Sequence, residues 1–330
     1  MAGLAAVVML SVQGCDAAGA PAQAATSAHS VTISQAQASY QAYLASSDAA
    51  ALQGNAAAGL ADVADAAWEI AHGQYAALAA DKVPVPRYQY GTPRFYVPAQ
   101  NGGYPRWFVV SVPRRQVGSA AAAVPTLMAF SQAKPADTWA LDGTTALEPG
   151  RQPPAIAVDA AGYATALSTR DANLLLPPDV VGPTQAAVAD DGPSSPAASL
   201  IASGPDTTGL YRAQSAVAAS QSANGLQYTW LMQGASFPVF ALKLTDGGAL
   251  VLYGMFLNTT NAHPGFAAGT PIPVPPNFSP LLAAPTEVGY HEVYAYWTYQ
   301  YAAIDPPGST AKGTVSVIAA TGGPSYGHAY

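Results

Sequence analysis

One cysteine, Cys15, stands in a chain of 330 residues, which excludes an internal disulfide. Because Cys15 precedes the globular sequence, cysteine nucleophile chemistry is also excluded from the folded part. Charge is scarce: 9% of the residues are charged, against about 25% in an average soluble chain. Twelve Lys and Arg face 19 Asp and Glu, for a net charge of −7, so the clustered basic surplus that phosphate binding needs is missing and no nucleic acid is expected as a partner. The densest basic stretch, Arg87, Arg94, Arg106, Arg114 and Arg115, alternates with Tyr88, Tyr90, Tyr96, Tyr104 and Trp107, and reads as the wet face of a sheet. Past the first 15 residues no apolar run is long enough to span a membrane as a helix.

Motifs of catalysis are equally sparse. The chain has no phosphate-binding loop, no dinucleotide fingerprint and no paired-histidine metal motif, and its histidines lie apart at 29, 72, 263, 291 and 328, so neither cofactor nor metal is expected. Asp65, Glu69 and His72 fall at i, i+4 and i+7 of one helix, a spacing that any solvated acidic face produces. Gly323-Pro324-Ser325-Tyr326-Gly327 matches the G-x-S-x-G nucleophile pattern, but no acid follows it. No catalytic residue is therefore assigned.

What is present begins with an apolar run, Ala2 to Val12, of the length of a signal-peptide core. The following Val12-Gln13-Gly14-Cys15 resembles the bacterial lipobox, with a small residue before the cysteine. The resemblance implies cleavage of a signal peptide, residues 1–14, and attachment of diacylglycerol and palmitate-type acyl chains to Cys15. Two or more chains on one residue anchor a protein stably, where one binds marginally. The basic segment that normally opens such a leader is missing, so the expected translation start lies upstream of Met1. Residues 15–30, rich in Ala, Gly, Ser and Pro, read as a flexible tether. The expectation is a protein held by lipid to the extracellular face of the cell membrane.

From Val31 the pattern turns globular, and the fold class expected is α+β: two tandem domains, each helices followed by an antiparallel sheet. The first covers residues 31–176. Ser34 is a candidate N-cap for a helix carrying Tyr40, Tyr43 and Leu44, and a second helix is predicted over Ala56–Ala80, with Leu60, Val63, Ala64, Ala67, Trp68, Ala71, Tyr75 and Leu78 on one face. Strands are predicted over 87–97, 104–112, 126–132 and 138–141, with turns at Asn101-Gly102-Gly103 and Asp142-Gly143. Residues 177–205, rich in Pro, Ala and Asp, are expected to connect the domains. The second domain, 206–320, repeats the plan: a helix over 207–222, then strands over 226–232, 236–244, 249–259, 288–303 and 313–320. Residues 321–330 read as a disordered tail.

Tyr104-Pro105-Arg106-Trp107-Phe108-Val109 has a counterpart in Phe237-Pro238-Val239-Phe240-Ala241-Leu242. The shared order suggests related halves, of the curved-sheet-on-helix kind found in NTF2-like and cystatin-like folds. These segments, together with Leu127-Met128-Ala129-Phe130, Trp139-Ala140-Leu141-Asp142 and Asp246-Gly247-Gly248, resemble a group of uncharacterised actinobacterial lipoproteins that share a domain of unknown function. That resemblance implies secretion and location, and carries no activity.

One stretch invites a ligand. In Tyr290 to Tyr301, alternation places Tyr290, Glu292, Tyr294, Tyr296, Thr298 and Gln300 on one face of a strand and His291, Val293, Ala295, Trp297, Tyr299 and Tyr301 on the other. The bland reading is a central strand packed on helices. The functional one is a cleft lined by Tyr290, Glu292, Tyr294, Tyr296 and Thr298 for an envelope glycan, peptide or protein partner. Three functions stay open: a non-catalytic binding lipoprotein, a hydrolase or isomerase with an NTF2-like pocket near Glu292, and a structural assembly protein of the envelope.

Overall fold

The computed structural model describes residues 30–100, 103–282, 288–310 and 313–330. The leader, Cys15, nearly all of the tether, and Asn101 and Gly102 of the first predicted turn lie outside the described residues.

Helix α1 (Ile33–Gln53) starts two residues earlier than Ser34 as cap would set it. Thr32 is the cap: its hydroxyl accepts the Gln35 N–H at 3.1 Å, and the Gln35 side chain accepts the Thr32 N–H at 2.8 Å, so two orphan donors are satisfied reciprocally. The helix predicted over Ala56–Ala80 is two, α2 (Ala56–Ala61) and α3 (Asp65–Asp81). Between them Asp62 and Ala64 spend their backbone groups on a strand: Leu141 N–H donates to Asp62 O and Ala64 N–H donates to Leu141 O, both at 2.9 Å. A sheet contact thus replaces helix continuation. Trp68, expected on the buried face, is half-exposed and stacks on His72. The residues that α3 buries are the small ones, Ala66, Ala67 and Gly73, with Ile70.

The strands are β1 (Tyr88–Tyr90), β2 (Arg94–Tyr96), β3 (Arg106–Gln116), β4 (Val124–Gln132) and β5 (Ala140–Leu147), followed after helices α4 (Pro178–Asp191) and α5 (Leu210–Ala223) by β6 (Gln227–Gly234), β7 (Phe240–Lys243), β8 (Ala249–Ala262), β9 (Ile272–Pro273), β10 (Val288–Gly289), β11 (Glu292–Asp305) and β12 (Ser316–Ala329). The fold is α+β, and the strands pair antiparallel throughout. The helix-then-sheet order recurs in both halves. The halves nevertheless share one sheet, in the order β1-β3-β4-β5-β12-β11-β8-β6, with β2 beside β3 and β7 beside β8. Strand β12 joins them, pairing with β11 along its length and with β5 at Ala319 and Ala320.

The sheet also closes on itself. Ala164 bridges Pro98, just past β2, while Ala166 and Ile156 bridge Leu242 and Leu244 at β7. Backbone pairing therefore runs from β2 around to β7 and back to β2. Inside this ring lie residues of both halves, among them Trp107, Val109, Leu127, Ile156, Phe240, Leu242, Leu250, Ala302 and Ile318. Trp107 and Phe240, from the two similar segments, meet at 5.0 Å between ring centroids. Outside the ring, α1 and α3 cover Phe108, Val110, Met128 and Phe130 of β3 and β4, and α4 covers Val251, Tyr253 and Met255 of β8.

Three expectations are corrected. The 177–205 segment is not an exposed connection: Val181, Val188 and Ala189 of α4 are fully buried, and Asp190 accepts the Met232 N–H at 2.8 Å. Pro178 sits at the first turn, where its missing N–H costs nothing, and Gly182 lets the helix lie against Tyr253. Residues 321–330 are not a tail but the second half of β12, templated by the 14-residue strand β11; Pro324 is tolerated there because the far side of this half strand pairs with no other strand among the described residues. Asp142-Gly143 does not turn the chain either. It lies inside β5 at a bulge, where β4 steps from Ala129 opposite Gly143 to Phe130 opposite Leu141, leaving Asp142 as the extra residue.

Candidate functional site

The face expected to form a cleft splits in two along β11. At its inner end Thr298 and Gln300 are buried, since α3 passes over them and Ile70 lies against Gly323, the partner of Thr298. At its outer end Tyr294 and Tyr296 pair with His328 and Tyr326 of β12, and the rings form an open ladder: Tyr296 to Tyr326 at 5.5 Å, Tyr326 to His328 at 6.4 Å, His328 to Tyr330 at 3.9 Å. Tyr290 stands just before the strand, 52% exposed. Glu292 closes this row, with Oε2 buried and unpartnered and with a hydrogen bond to Tyr294 that, after burial itself, raises the phenol's pKa. The concavity on β11 lies on the opposite face, a cleft of about 330 Å³ floored by Val293, Ala295, Trp297 and Tyr299 and walled by Gln214, Val217 and Gln221 of α5. Of the five proposed residues, Tyr290, Glu292, Tyr294 and Tyr296 thus make an open surface and Thr298 is buried, while the alternate residues floor the cleft.

His263 and His291 come together at the same end, joined by the His263 N–H to His291 O bond of 3.0 Å. Their rings are spent on the loop after β8, with His263 Nε2 2.8 Å from Thr270 O and His291 Nδ1 2.9 Å from Phe266 O. Ser325 of the G-x-S-x-G match donates to Tyr296 O at 3.1 Å from within a strand, which is not the geometry of a nucleophile.

The larger concavity lies between the helices and the first strands. Three adjoining depressions of about 450, 110 and 200 Å³ share Tyr88 and run from α1 and β1 inward beneath α3 to Thr144 and Thr321. Tyr43 comes from α1, Tyr75 from α3, and Tyr88 and Tyr90 from β1, all half-buried. Burial raises the pKa of Tyr43, Tyr75 and Tyr90, so each is a neutral phenol able to donate or accept. Arg114 of β3 reaches the middle of the groove, its guanidinium carbon 3.5 Å from the Tyr88 ring centroid. Its Nε is buried without a partner, whereas Arg87 at the outer end is neutralised by Asp48 at 2.7 Å. Arg114 therefore carries a positive charge into the groove. The alternating Tyr and Arg of residues 87–115 were legible in the sequence; that the alternation faces a groove depended on α1 and α3 lying over it.

A second concavity closes the mouth of the ring. Its walls include Asp65 at the start of α3, Asp142 and Thr145 of β5, Gln300 of β11, and Phe237 and Pro238 from the connection into β7. Asp65 adopts φ of +50°, a left-handed conformation that Asp tolerates better than most residues, and its carboxyl reaches that of Asp142. Asp142 Oδ1 accepts the Ser131 hydroxyl at 3.1 Å, and Oδ2 has no donor. Burial first, and the neighbouring Asp65 carboxylate after it, push the Asp142 pKa up to about 8. Gln300 braces the bulge, accepting the Thr144 N–H at 2.6 Å and donating to Asp142 O at 3.3 Å. In the sequence Asp142 read as a turn residue and Asp65 as part of a wet helix face, since their meeting depends on the register of the bulge. Among the described residues no group of three His, Cys, Asp or Glu comes together.

The family model described as a domain of unknown function (DUF8094) matches residues 23–323. No curated protein and no solved structure matches the chain.

Proposed function

Since the chain belongs to the family defined by that domain of unknown function, we propose a role from its own residues: a lipoprotein of the outer face of the cell membrane, tethered through Cys15, that binds an envelope ligand in the groove between α1, α3 and β1. The observation that carries the binding role is the groove itself, a tyrosine-lined channel with one unneutralised guanidinium in it. Tyrosines offer rigid rings for stacking and phenols for hydrogen bonds, and Arg114 selects for an anionic group. A wall glycopeptide bearing carboxylates has that chemistry. Asp48, the carboxylate that lines the groove, is taken up by Arg87 at 2.7 Å and the phenols are held neutral, which favours binding over turnover. The lipobox-like Val12-Gln13-Gly14-Cys15, followed by a tether that ends where the fold begins at Ser30, supports the anchored location.

The test has two arms. Intact mass and membrane fractionation of the native protein beside Cys15→Ser should show acylation and membrane retention, both lost in the variant; an unmodified, cytosolic native protein refutes the anchor. Titration of tyrosine fluorescence with a soluble digest of wall glycopeptide should give saturable binding weakened about tenfold or more in Arg114→Gln, the order expected for one charge-assisted contact. Equal binding by the two proteins removes the groove from the reading.

A further inference from the structure

Two carboxyl groups turned toward each other at a partly buried site repel when both are ionised, and either a proton shared between them or a cation relieves that repulsion. Asp65 and Asp142 are so placed at the mouth of the ring, and the cavity they share has no Lys, Arg or His in its wall. Thr145 Oγ1, in the same wall, is 2% exposed and has no hydrogen-bond partner. That orphan is independent of the acidic pair, because its cost is the desolvation of a neutral hydroxyl, and a bound group would relieve it. The space is about 30 Å³, room for an ion or one or two waters and too small for an organic substrate. We propose that this cavity is a binding site for a hard divalent cation, Ca²⁺ or Mg²⁺, ligated by the carboxylates of Asp65 and Asp142 and by Thr145 Oγ1.

The donor set fixes the class of ion. Oxygen is the sole side-chain donor atom type on the polar wall apart from the Gln300 amide nitrogen, which is already bonded to Asp142 O; sulfur and imidazole, which select zinc or copper, are missing from it. Gln300 Oε1 holds the Thr144 N–H and keeps a second lone pair. The scaffold is stiff where ligation needs it: Asp142 is held by the bulge and by Ser131, and Asp65 by the backbone bonds that pin Asp62 and Ala64 to Leu141. Phe237 closes the space from the solvent side, lying so near Gly254 that a Cβ there would stand 2.6 Å from its ring. The ion would link α3 to β5 at the mouth of the ring, beneath Phe237.

The test is a melt of full-length protein in detergent, stripped with chelator and then titrated with CaCl₂ or MgCl₂ to about 5 mM, the range in which extracellular modules bind Ca²⁺. A NaCl series at matched ionic strength serves as control. Expected is a saturable rise in Tm with one or both ions, an isothermal titration heat of one site per chain, and loss of both in Asp142→Asn. Asp65→Asn, half-exposed and placed to fold normally, should weaken the ion at least tenfold if Asp142→Asn does not fold. No shift and no heat with either ion, or an affinity in Asp65→Asn equal to that of the parent, overturns the site.

Discussion

Asp305 illustrates how one side chain sets a pH dependence. It ends β11 with no solvent exposure; Oδ1 accepts the Leu176 N–H at 3.4 Å and Oδ2 has no partner. Burial dominates, and the pKa is pushed up to about 7 from an ordinary value near 3.8. Between those values the folded protein holds a proton that the unfolded chain has released, so stability falls as pH rises through this window and levels off above it. Asp206, raised by burial and by nearby Glu148 to about 6, adds to the same slope. At about 1.4 kcal/mol per unit, Asp305 alone contributes a loss on the order of 2–3 kcal/mol from pH 5 to pH 8. Urea titrations at the two pH values should therefore show the parent weaker at pH 8, with the difference visibly smaller in Asp305→Asn. A parent of equal stability at both would refute the assignment.

Between elements, much depends on how closely helix α3 approaches β12, and Gly73 sets that distance. A Cβ at this position would collide with the carbonyl oxygen of Pro324, a backbone atom that cannot swing aside. In an isolated helix Gly→Ala gains roughly 1 kcal/mol. Here the added methyl must push a helix off a sheet, and forcing extra volume into a packed contact costs about 1–3 kcal/mol. Gly73→Ala should thus lower the urea midpoint, with a net loss of up to about 2 kcal/mol after the helix gain; a gain would mean that α3 does not bear on β12. The same contact shows why legibility in the sequence was uneven. Most strands announced themselves by alternation, and α1, α5 and the edges of β6 and β8 fell close to where local pattern put them, because those signals are local. Val63 and Asp142 misled, the first as helix and the second as turn, because Val63 answers to Leu141, about 80 residues on, and Asp142 to a bulge set by the register of β5 against β4. The far half of β12, rich in Gly and bearing Pro324, carries no strand propensity of its own and is a strand because β11 templates it.

At the scale of the whole molecule the sequence pattern of helices then strands, given twice, is right in order and misleading in consequence. Two open sheets would each own a core. Instead β12, last in the chain, is inserted between β5 of the first half and β11 of the second, and the segment from Ile156 to Ala166 ties β7 back to Pro98. The interior that results draws Trp107, Leu127 and Ala129 from one half and Phe240, Leu250, Ala302 and Ile318 from the other. Neither half retains a covered interior without its counterpart, since stripping one away exposes a whole wall of apolar side chains at roughly 25 cal/mol per Å². The halves should consequently unfold together. Far-UV circular dichroism, reporting helices on both flanks, and tryptophan fluorescence, reporting Trp107 and Trp139 in one half and Trp230 and Trp297 in the other, are expected to trace a single coincident urea transition. Residues 31–176 and 206–320 expressed apart should yield no cooperative transition, because the second fragment lacks the far half of β12 and both lose the shared core. Two separated transitions in the intact chain would instead mean that the ring opens before either half unfolds, and that the two-residue pairing of β5 with β12 is its weak seam.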